Sequence, residues 1–239
     1  MVRSEITNRN RIIVALDFST IGEARDLVNT LDDAATFYKI GHQLAFAGGL
    51  DLVSELKASG KNVFLDLKLL DIDNTIRGGV TSVAALGADM LTIHAYPKAM
   101  SAAVGAKAGL EKAKGLSLLG VTVLTSMDDA DLHDAGYAGT ATDLVTRRAE
   151  QAQQTGMDGL VCSPLKVARL RTQIGGELTF VVPGIRPAGS DHGDQKRVLT
   201  PSQALQAGAD YLVIGRPINA ARDPQQAINK IVLEMDGVN

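Results

Sequence analysis

Short apolar runs alternate with amphipathic segments along the chain, and this alternation limits the possible folds more than any other feature of the sequence. The runs are rich in Val, Ile and Leu and have the length of strands that are buried on both faces. Eight strands are predicted, at Ile12–Leu16, Thr36–Ile40, Val63–Leu67, Met90–His94, Leu118–Leu124, Gly159–Cys162, Thr179–Val182 and Tyr211–Ile214. Because strands that alternate with helices form parallel sheets, eight such units in 239 residues indicate a closed (β/α)8 TIM barrel, which typically has about 250 residues.

The ends of the predicted helices carry recurrent signals that support this count. Three strands are preceded by a Gly-x-Asp sequence whose glycine can end a helix in the left-handed conformation; these glycines are Gly87, Gly156 and Gly208. A proline follows a capping side chain, as is typical of the first residue of a helix, at Pro164, Pro201 and Pro224. No linker or change of composition interrupts the pattern, so residues 1–239 are predicted to form one domain.

Composition and charge argue against several classes of function. The net charge is −3 with both signs interspersed, which disfavours binding to nucleic acid or to an anionic membrane. No apolar run approaches the roughly 18 residues of a membrane span, and the polar N-terminal sequence lacks the pattern of a signal peptide. The single cysteine, Cys162, suits a reducing compartment. We therefore expect a cytoplasmic protein with neither nucleic-acid nor membrane partners.

Ionisable residues stand at the predicted C-terminal ends of several strands, where barrels carry their catalytic groups. Asp17 follows the first strand and Lys39 lies on the second. Asp66 and Lys68 are two residues apart, so both should point to one side of the third strand, and Asp71 follows in the next loop. An alternating array of Lys39, Asp66, Lys68 and Asp71 would favour the charged form of each group. The pattern predicts a catalytic cluster; a structural ion network at the rim is the alternative.

The end of the eighth strand predicts a phosphate site. Loops after the seventh and eighth strands of barrels often bind phosphate. Gly215 leaves room for a phosphate near the backbone amides, and Arg216 can supply two charged hydrogen bonds. The alternative is a surface arginine on a glycine turn. The long polar segment from Gly184 to Leu199 precedes this strand and predicts a lid, with a passive insertion as the alternative.

Taken in order, several short motifs resemble those of the orotidine 5′-phosphate decarboxylase family, most closely its bacterial branch. They are Ala15-Leu16-Asp17, Tyr38-Lys39-Ile40-Gly41, Asp66-Leu67-Lys68-x-x-Asp71-Ile72, Leu124-Thr125-Ser126, Val182-Pro183-Gly184-Ile185-Arg186, Gly193-Asp194-Gln195 and Val213-Ile214-Gly215-Arg216. The similarity extends from about Arg11 to the last helix. It departs at Leu70 and Asp73, where members often carry His and Pro.

The resemblance implies a role for each matched residue. Lys68 would protonate C6 of the pyrimidine after carbon dioxide leaves, with Asp66 and Asp71 beside it, and Asp71 would come from the other subunit of a homodimer. The remaining residues would bind the substrate, orotidine 5′-phosphate: Asp17 and Lys39 at the ribose, Thr75 at the neighbouring subunit's ribose, Thr125 and Ser126 at the pyrimidine, and Gln195, Gly215 and Arg216 at the 5′-phosphate, with Arg186 also at the substrate. The implied reaction forms UMP in pyrimidine biosynthesis and needs neither a metal nor an organic cofactor.

Two other functions are weighed against this one. A magnesium-dependent sugar-phosphate decarboxylase or hexulose-phosphate synthase on the same barrel shares Asp-x-Lys-x-x-Asp, and Asp73 would suit a metal. The pyrimidine-side residues, Arg186 and Gln195 argue against it. A non-catalytic phosphate-binding barrel has no need of two lysines packed with two aspartates. The four histidines lack metal-ligand spacing, and Cys162 is expected to be a buried structural thiol.

Overall fold

The computed structural model describes residues 6–188 and 198–237 of the chain. Within these ranges, eight parallel strands form a closed barrel in which neighbours follow the order of the sequence and the last strand pairs with the first. The strands are β1 (Ile12–Ala15), β2 (Phe37–Gly41), β3 (Asn62–Leu69), β4 (Met90–His94), β5 (Ser117–Val121), β6 (Gly159–Val161), β7 (Thr179–Val182) and β8 (Tyr211–Ile214). The predicted (β/α)8 TIM barrel is confirmed.

Helices connect the strands. Over the described residues they are α1 (Ile21–Leu31), α2 (His42–Leu44), α3 (Asp51–Ala58), α4 (Asp73–Leu86), α5 (Pro97–Ala108), α6 (Asp129–Asp134), α7 (Ala141–Thr155), α8 (Val167–Ile174), α9 (Pro201–Gln206), α10 (Arg216–Asn219) and α11 (Pro224–Met235). The predicted first residues Pro201 and Pro224 are confirmed, whereas Pro164 begins a short 3-10 turn before α8. In the parts of the chain that are described, no helix is both long and apolar enough to cross a membrane.

The predicted ends of the strands are less accurate than their number. Three strands have the predicted bounds, and the largest difference is in β5, which ends at Val121 instead of Leu124. Thr122 still donates its N–H to the Val161 carbonyl, but the N–H of Met127 bonds to the Leu124 carbonyl at 3.0 Å, so the chain has already turned. Apolar character alone does not distinguish a strand from an apolar connection that covers a cavity.

The interior of the barrel is an apolar layer beneath a charged one. The apolar layer consists of Ile13, Ala15, Phe37, Phe64, Met90, Leu119, Val181 and Val213, which form one buried cluster. Side chains two residues apart on a strand share a face. Lys39 therefore follows Phe37 on the inner face of β2, and Asp66 follows Phe64 on the inner face of β3. Both charged residues lie nearer the C-terminal ends of the strands, above an apolar floor.

At the opposite end of the barrel, the aspartates of the three Gly-x-Asp sequences join neighbouring strands. Each carboxylate accepts the N–H of a residue at the preceding strand and pairs with a basic side chain from a helix. The groups are Asp89 with Val63 and Lys57, Asp158 with Leu118 and Lys107, and Asp210 with Phe180 and Arg171. The preceding glycines have φ angles of 81°, 83° and 102°, as predicted. This end of a barrel contributes stability, and the other end carries function.

Candidate active site

Four charged residues alternate in sign at the C-terminal ends of the first three strands. The Lys39 ammonium lies 3.0 Å from Asp17 Oδ1 and 3.8 Å from Asp66 Oδ2, and the Lys68 ammonium lies 2.8 Å from Asp66 Oδ1. The array therefore runs Asp17, Lys39, Asp66, Lys68. Each charge stands beside one of opposite sign, which is the condition for holding charged groups out of water.

Asp66 is the central anion of the array, and its side chain is only 16% exposed. Burial by itself would raise the pKa of this carboxyl. The positive charges of Lys39 and Lys68, with hydrogen bonds from Lys68 and Thr92, outweigh burial and lower the pKa of Asp66 below its ordinary value. Asp66 is therefore held as a carboxylate between two ammonium groups.

Thr92 is a site residue that the sequence analysis missed. It is fully buried on β4, its hydroxyl donates to Asp66 Oδ1 at 3.0 Å, and it accepts the backbone N–H of Lys68 at 2.9 Å. One hydroxyl thus fixes both the carboxylate of Asp66 and the main chain of Lys68. The available signal was a threonine in the otherwise apolar run Met90–Ile93, next to the strand that carries the charges.

The backbone of β3 is distorted where it presents Lys68. Lys68 has a φ angle of 48°, in the left-handed region that a residue with a side chain rarely adopts. The pairing with β4 shifts between Leu65 and Leu69, because four residues of β3 pass two of β4. Such irregularities redirect a side chain. The prediction of an evenly extended strand was therefore wrong at Lys68, although Lys68 and Asp66 do come together.

Asp71 does not join the array within its own chain. Its carboxylate accepts the N–H of Ile72 at 2.6 Å, and no hydrogen bond or ion pair joins it to Lys39 or Lys68 among residues 6–188 and 198–237. Within one chain, Asp17 occupies the fourth position of the array, and the predicted place of Asp71 in the other subunit's site stays a prediction. Asp71 and Thr75 are both exposed, beyond the end of β3 and on α4.

One cavity of about 450 Å³ joins this array to the ends of β7 and β8. Its lining is Ala15, Asp17, Lys39, Asp66, Pro183, Gly184, Arg186, Val213, Gly215, Arg216 and Asn219. The lining therefore contains two arginines, the buried Arg186 and the exposed Arg216, together with the carboxylates of Asp17 and Asp66. Asn219 was not anticipated; its amide donates to the Ala15 carbonyl at 3.2 Å and ties α10 to β1.

The predicted lid is described only in part, and the predicted pyrimidine-side residues do not line this cavity. Gln195 and most of the predicted lid fall in residues 189–197, outside the described residues. The two ends of that segment are adjacent, because Arg186 N–H donates to the Leu199 carbonyl at 3.0 Å. Thr125 and Ser126 are half-buried and exposed, respectively, in the connection after β5.

The remaining candidates for chemistry lie apart from this cavity. Cys162 is buried, and burial raises the pKa of its thiol to about 12. The pKa of His94, at the end of β4, is lowered by burial and then by the charges of Arg148 and Lys68. No group of three or more His, Cys, Asp or Glu residues that could hold a metal ion occurs in the described ranges.

Comparison with known proteins identifies the family. The model of the orotidine 5′-phosphate decarboxylase / HUMPS family matches residues 10–231. The chain is 57% identical over 235 residues to a protein of Afipia carboxidovorans and 54% identical over 235 residues to one of Rhodopseudomonas palustris, each covering 98% of both chains and each named orotidine 5′-phosphate decarboxylase. The crystal structure of orotidine 5′-phosphate decarboxylase from Lactobacillus acidophilus superimposes with a TM-score of 0.84 at 33% identity, over 95% of this chain and 99% of that one. On this evidence, the chain belongs to the orotidine 5′-phosphate decarboxylase / HUMPS family.

Proposed function

We infer that this protein converts orotidine 5′-phosphate to UMP and carbon dioxide, a step of pyrimidine biosynthesis, with Lys68 as the proton donor. One observation carries the proposal: the alternating array of Asp17, Lys39, Asp66 and Lys68 adjoins a cavity whose other side holds Arg186 and Arg216. A site for a nucleotide monophosphate needs cations for its phosphate and polar groups for its sugar, and both occur here. The names of the relatives support this choice of substrate.

One side of the cavity suits the 5′-phosphate of the substrate, and the other side suits its ribose. Arg216 and Arg186 carry the positive charge for the 5′-phosphate, next to the backbone of Gly215. Asp17 can accept hydrogen bonds from ribose hydroxyls, and Lys39 can donate to them. Because Asp17 and Lys39 are already paired at 3.0 Å, both are oriented before the sugar binds. The pyrimidine then lies toward Asp66 and Lys68.

The chemical step needs a cation fixed beside C6. When the bond between C6 and the carboxylate breaks, its electron pair stays on C6 as carbon dioxide leaves. The Lys68 ammonium then supplies the proton that forms the new C–H bond. Its hydrogen bond to Asp66 and the bond between its backbone N–H and Thr92 hold it in place before reaction, so the charge on C6 is stabilised without reorganisation.

A magnesium-dependent sugar-phosphate enzyme is the competing proposal, and the arrangement of the carboxylates disfavours it. Asp66 Oδ1 already accepts hydrogen bonds from Lys68 and Thr92, and Oδ2 lies 3.8 Å from the Lys39 ammonium, so a metal ion would face two positive charges there. Asp73, the extra carboxylate, lies 3.8 Å from Lys98 and does not line the cavity. A cation bound by Asp66 would have to displace an ammonium group.

The test follows the ultraviolet absorbance of orotidine 5′-phosphate with the purified protein, before and after exhaustive chelation with EDTA. Full activity is expected in both conditions and none in the Lys68→Ala variant, because the positive charge at C6 is the Lys68 ammonium. Activity that disappears with EDTA and returns with magnesium would instead support the metal-dependent rival. Absence of turnover in every condition, together with binding of phosphate, would support a barrel that only binds.

The proposal includes a homodimer in which each active site uses both chains. Asp71 and Thr75 are exposed, and so are two apolar side chains next to Asp71 in the sequence: Leu70 is 50% exposed and Ile72 is 71% exposed. Exposed apolar groups that cluster mark interfaces. In a symmetric dimer, Asp71 of each chain can reach the Lys68 of the other. Asp71 would then complete the partner's array.

A further inference from the structure

A buried guanidinium lies behind the connection that follows β5. Arg148, on α7, is 8% exposed. It donates through Nη1 to the carbonyl of Thr122, the first residue after β5, and through Nη2 to the Tyr137 hydroxyl at 3.2 Å. We call residues 122–137 the pyrimidine-side segment, because it contains Thr125 and Ser126. Arg148 therefore binds both ends of this segment.

Two tyrosine rings fix the orientation of the guanidinium. Arg148 Cζ lies 4.8 Å from the centroid of the Tyr96 ring and 5.4 Å from that of Tyr137, within the range of cation–π attraction. The two phenol hydroxyls are hydrogen-bonded to each other. Tyr96 packs edge-on against His94, at the end of β4. The segment is thus joined through Arg148 to the ends of both β4 and β5.

Packing anchors the segment on one side only, through the buried side chains of Val123 and Leu132. Its inner side borders a cavity of about 310 Å³, lined by Leu70, His94, Tyr96, Thr122, Val123, Leu124, Met127, Leu132, Ala135, Tyr137 and Arg148. Side chains that border a cavity lack contacts on that side. On the side of the cavity, the hydrogen bonds from Arg148 to Thr122 and Tyr137 fix the two ends of the segment.

Stability does not explain why this residue is an arginine. In the described part of the chain, no carboxylate pairs with Arg148. A buried cation carries a desolvation cost, and an apolar residue of similar volume in its place is often neutral or stabilising. What an apolar residue cannot do is donate to Thr122 and Tyr137 at the same time.

We propose that Arg148 is a positioning residue for recognition of the pyrimidine ring: it holds residues 122–137 so that Thr125 and Ser126 face the ring, and does not itself touch the substrate. The inference rests on the proposed function and on the place at the pyrimidine that the family resemblance implies for those two residues. It predicts that Arg148 affects binding of the base and not binding of the ribose and phosphate, whose residues lie on β2 or follow β1, β7 and β8.

The test compares two ligands that differ by the base. Affinities for UMP and for ribose 5-phosphate are measured by titration calorimetry in the wild type, Arg148→Met, Arg148→Lys and Arg147→Met. Arg147 is exposed on the same helix and serves as the matched control. In Arg148→Met, which keeps the length of the side chain but not its donors, UMP should bind on the order of tenfold more weakly. The affinity of Arg148→Met for ribose 5-phosphate should be unchanged. Arg148→Lys should lose less affinity for UMP than Arg148→Met does.

A merely structural role predicts a different pattern. If Arg148→Met weakened both ligands equally, or neither, the positioning role would be wrong. Tyr137→Phe removes one hydroxyl that Arg148 contacts and keeps the ring, so it carries the same test if Arg148→Met does not fold; it should weaken UMP alone, by a smaller factor. If the variants show this pattern but the wild type does not decarboxylate orotidine 5′-phosphate, the proposed function is wrong and the positioning role stands. If the wild type decarboxylates orotidine 5′-phosphate but the variants do not lose affinity for UMP alone, the positioning role is wrong and the proposed function stands.

Discussion

Replacement of Arg216 by alanine should weaken binding of the substrate through its phosphate. Arg216 begins α10 directly after Gly215 and is exposed where the cavity opens. Its guanidinium can approach a phosphate with two parallel N–H groups, which is the strongest geometry available to a single side chain. Arg186 lines the same cavity and would remain, so binding of the phosphate should be weakened and not abolished.

The expected size of the loss follows from this geometry. A hydrogen bond to a charged group contributes about 1.5–3 kcal/mol, so two such bonds give about 3–6 kcal/mol. Because Arg186 still attracts the phosphate in the variant, we expect the lower part of that range, about 3–5 kcal/mol. Each 1.36 kcal/mol changes a rate tenfold, so kcat/KM should fall by roughly 10²–10⁴.

The assay measures kcat/KM for orotidine 5′-phosphate and for orotidine, which lacks the phosphate. Arg216→Ala should lose activity toward the first and keep its low activity toward the second. Arg222→Ala is the matched control, since Arg222 is exposed shortly after α10 and does not line the cavity. Equal losses with both substrates, or an equal loss in the control, would show that Arg216 does not bind the phosphate.

Three further predictions address the shared site, the stability of the barrel and its pH dependence. A mixture of Lys68→Ala and Asp71→Asn proteins that exchange subunits should recover about a quarter of wild-type activity, because half the dimers are hybrid and half of their sites are intact; no recovery after proven exchange would mean that Asp71 serves its own chain. Asp158→Asn should lower the free energy of unfolding by about 1–2 kcal/mol in urea titrations, since it weakens the bonds to Lys107 and to the Leu118 N–H, whereas the exposed Asp134→Asn should have no effect. The pKa of Asp66 is lowered in the fold, so its ionised form stabilises the protein at pH values above the ordinary pKa of 3.8, and this contribution is lost as the pH falls through the lowered pKa. The difference in unfolding free energy between wild type and Asp66→Asn should therefore shrink over that range. A difference that does not depend on pH would contradict the assigned cause.

The sequence predicts the barrel well because its signals are local and repeated. An apolar run marks a strand, and a left-handed glycine before it marks the end of a helix, as at Gly87 and Gly156. Both signals depend on the backbone and on the nearest neighbours along the chain. The end of β5 was mispredicted because Val123 and Leu124 are apolar for another reason: they line a cavity beside α6.

The sequence predicts which strand carries each charged residue of the candidate site, but not which charged residues contact each other. Lys39 and Asp66 lie where the alternation of side chains puts them, on the inner faces of β2 and β3. Which charged residues touch depends on the stagger between strands and on the distortion at Lys68, and neither is encoded locally. For this reason Asp17, and not Asp71, completes the array within one chain.

Residues that act through others are the hardest to find from sequence. Thr92 and Arg148 have no motif, because their partners are a distant backbone N–H and a distant carbonyl. Arginine in the middle of an amphipathic helix is usually a solvated surface residue. Only the packing of α7 against the end of β5 reveals that Arg148 is buried.

The geometry of Lys68 is unfavourable for folding, and the proposed role of Lys68 as the proton donor gives a reason for it. A left-handed conformation at a residue with a side chain costs of order 1–3 kcal/mol. The neighbouring Asp66 is buried, and its carboxylate is tolerated only because two ammonium groups and Thr92 surround it. Apolar residues on a regular strand would serve the barrel better. The folded chain holds the strained arrangement because β3 pairs on both sides and Thr92 fixes the N–H of Lys68. The ammonium is thereby oriented before any substrate arrives, which is the property that stabilisation of a carbanion at C6 requires.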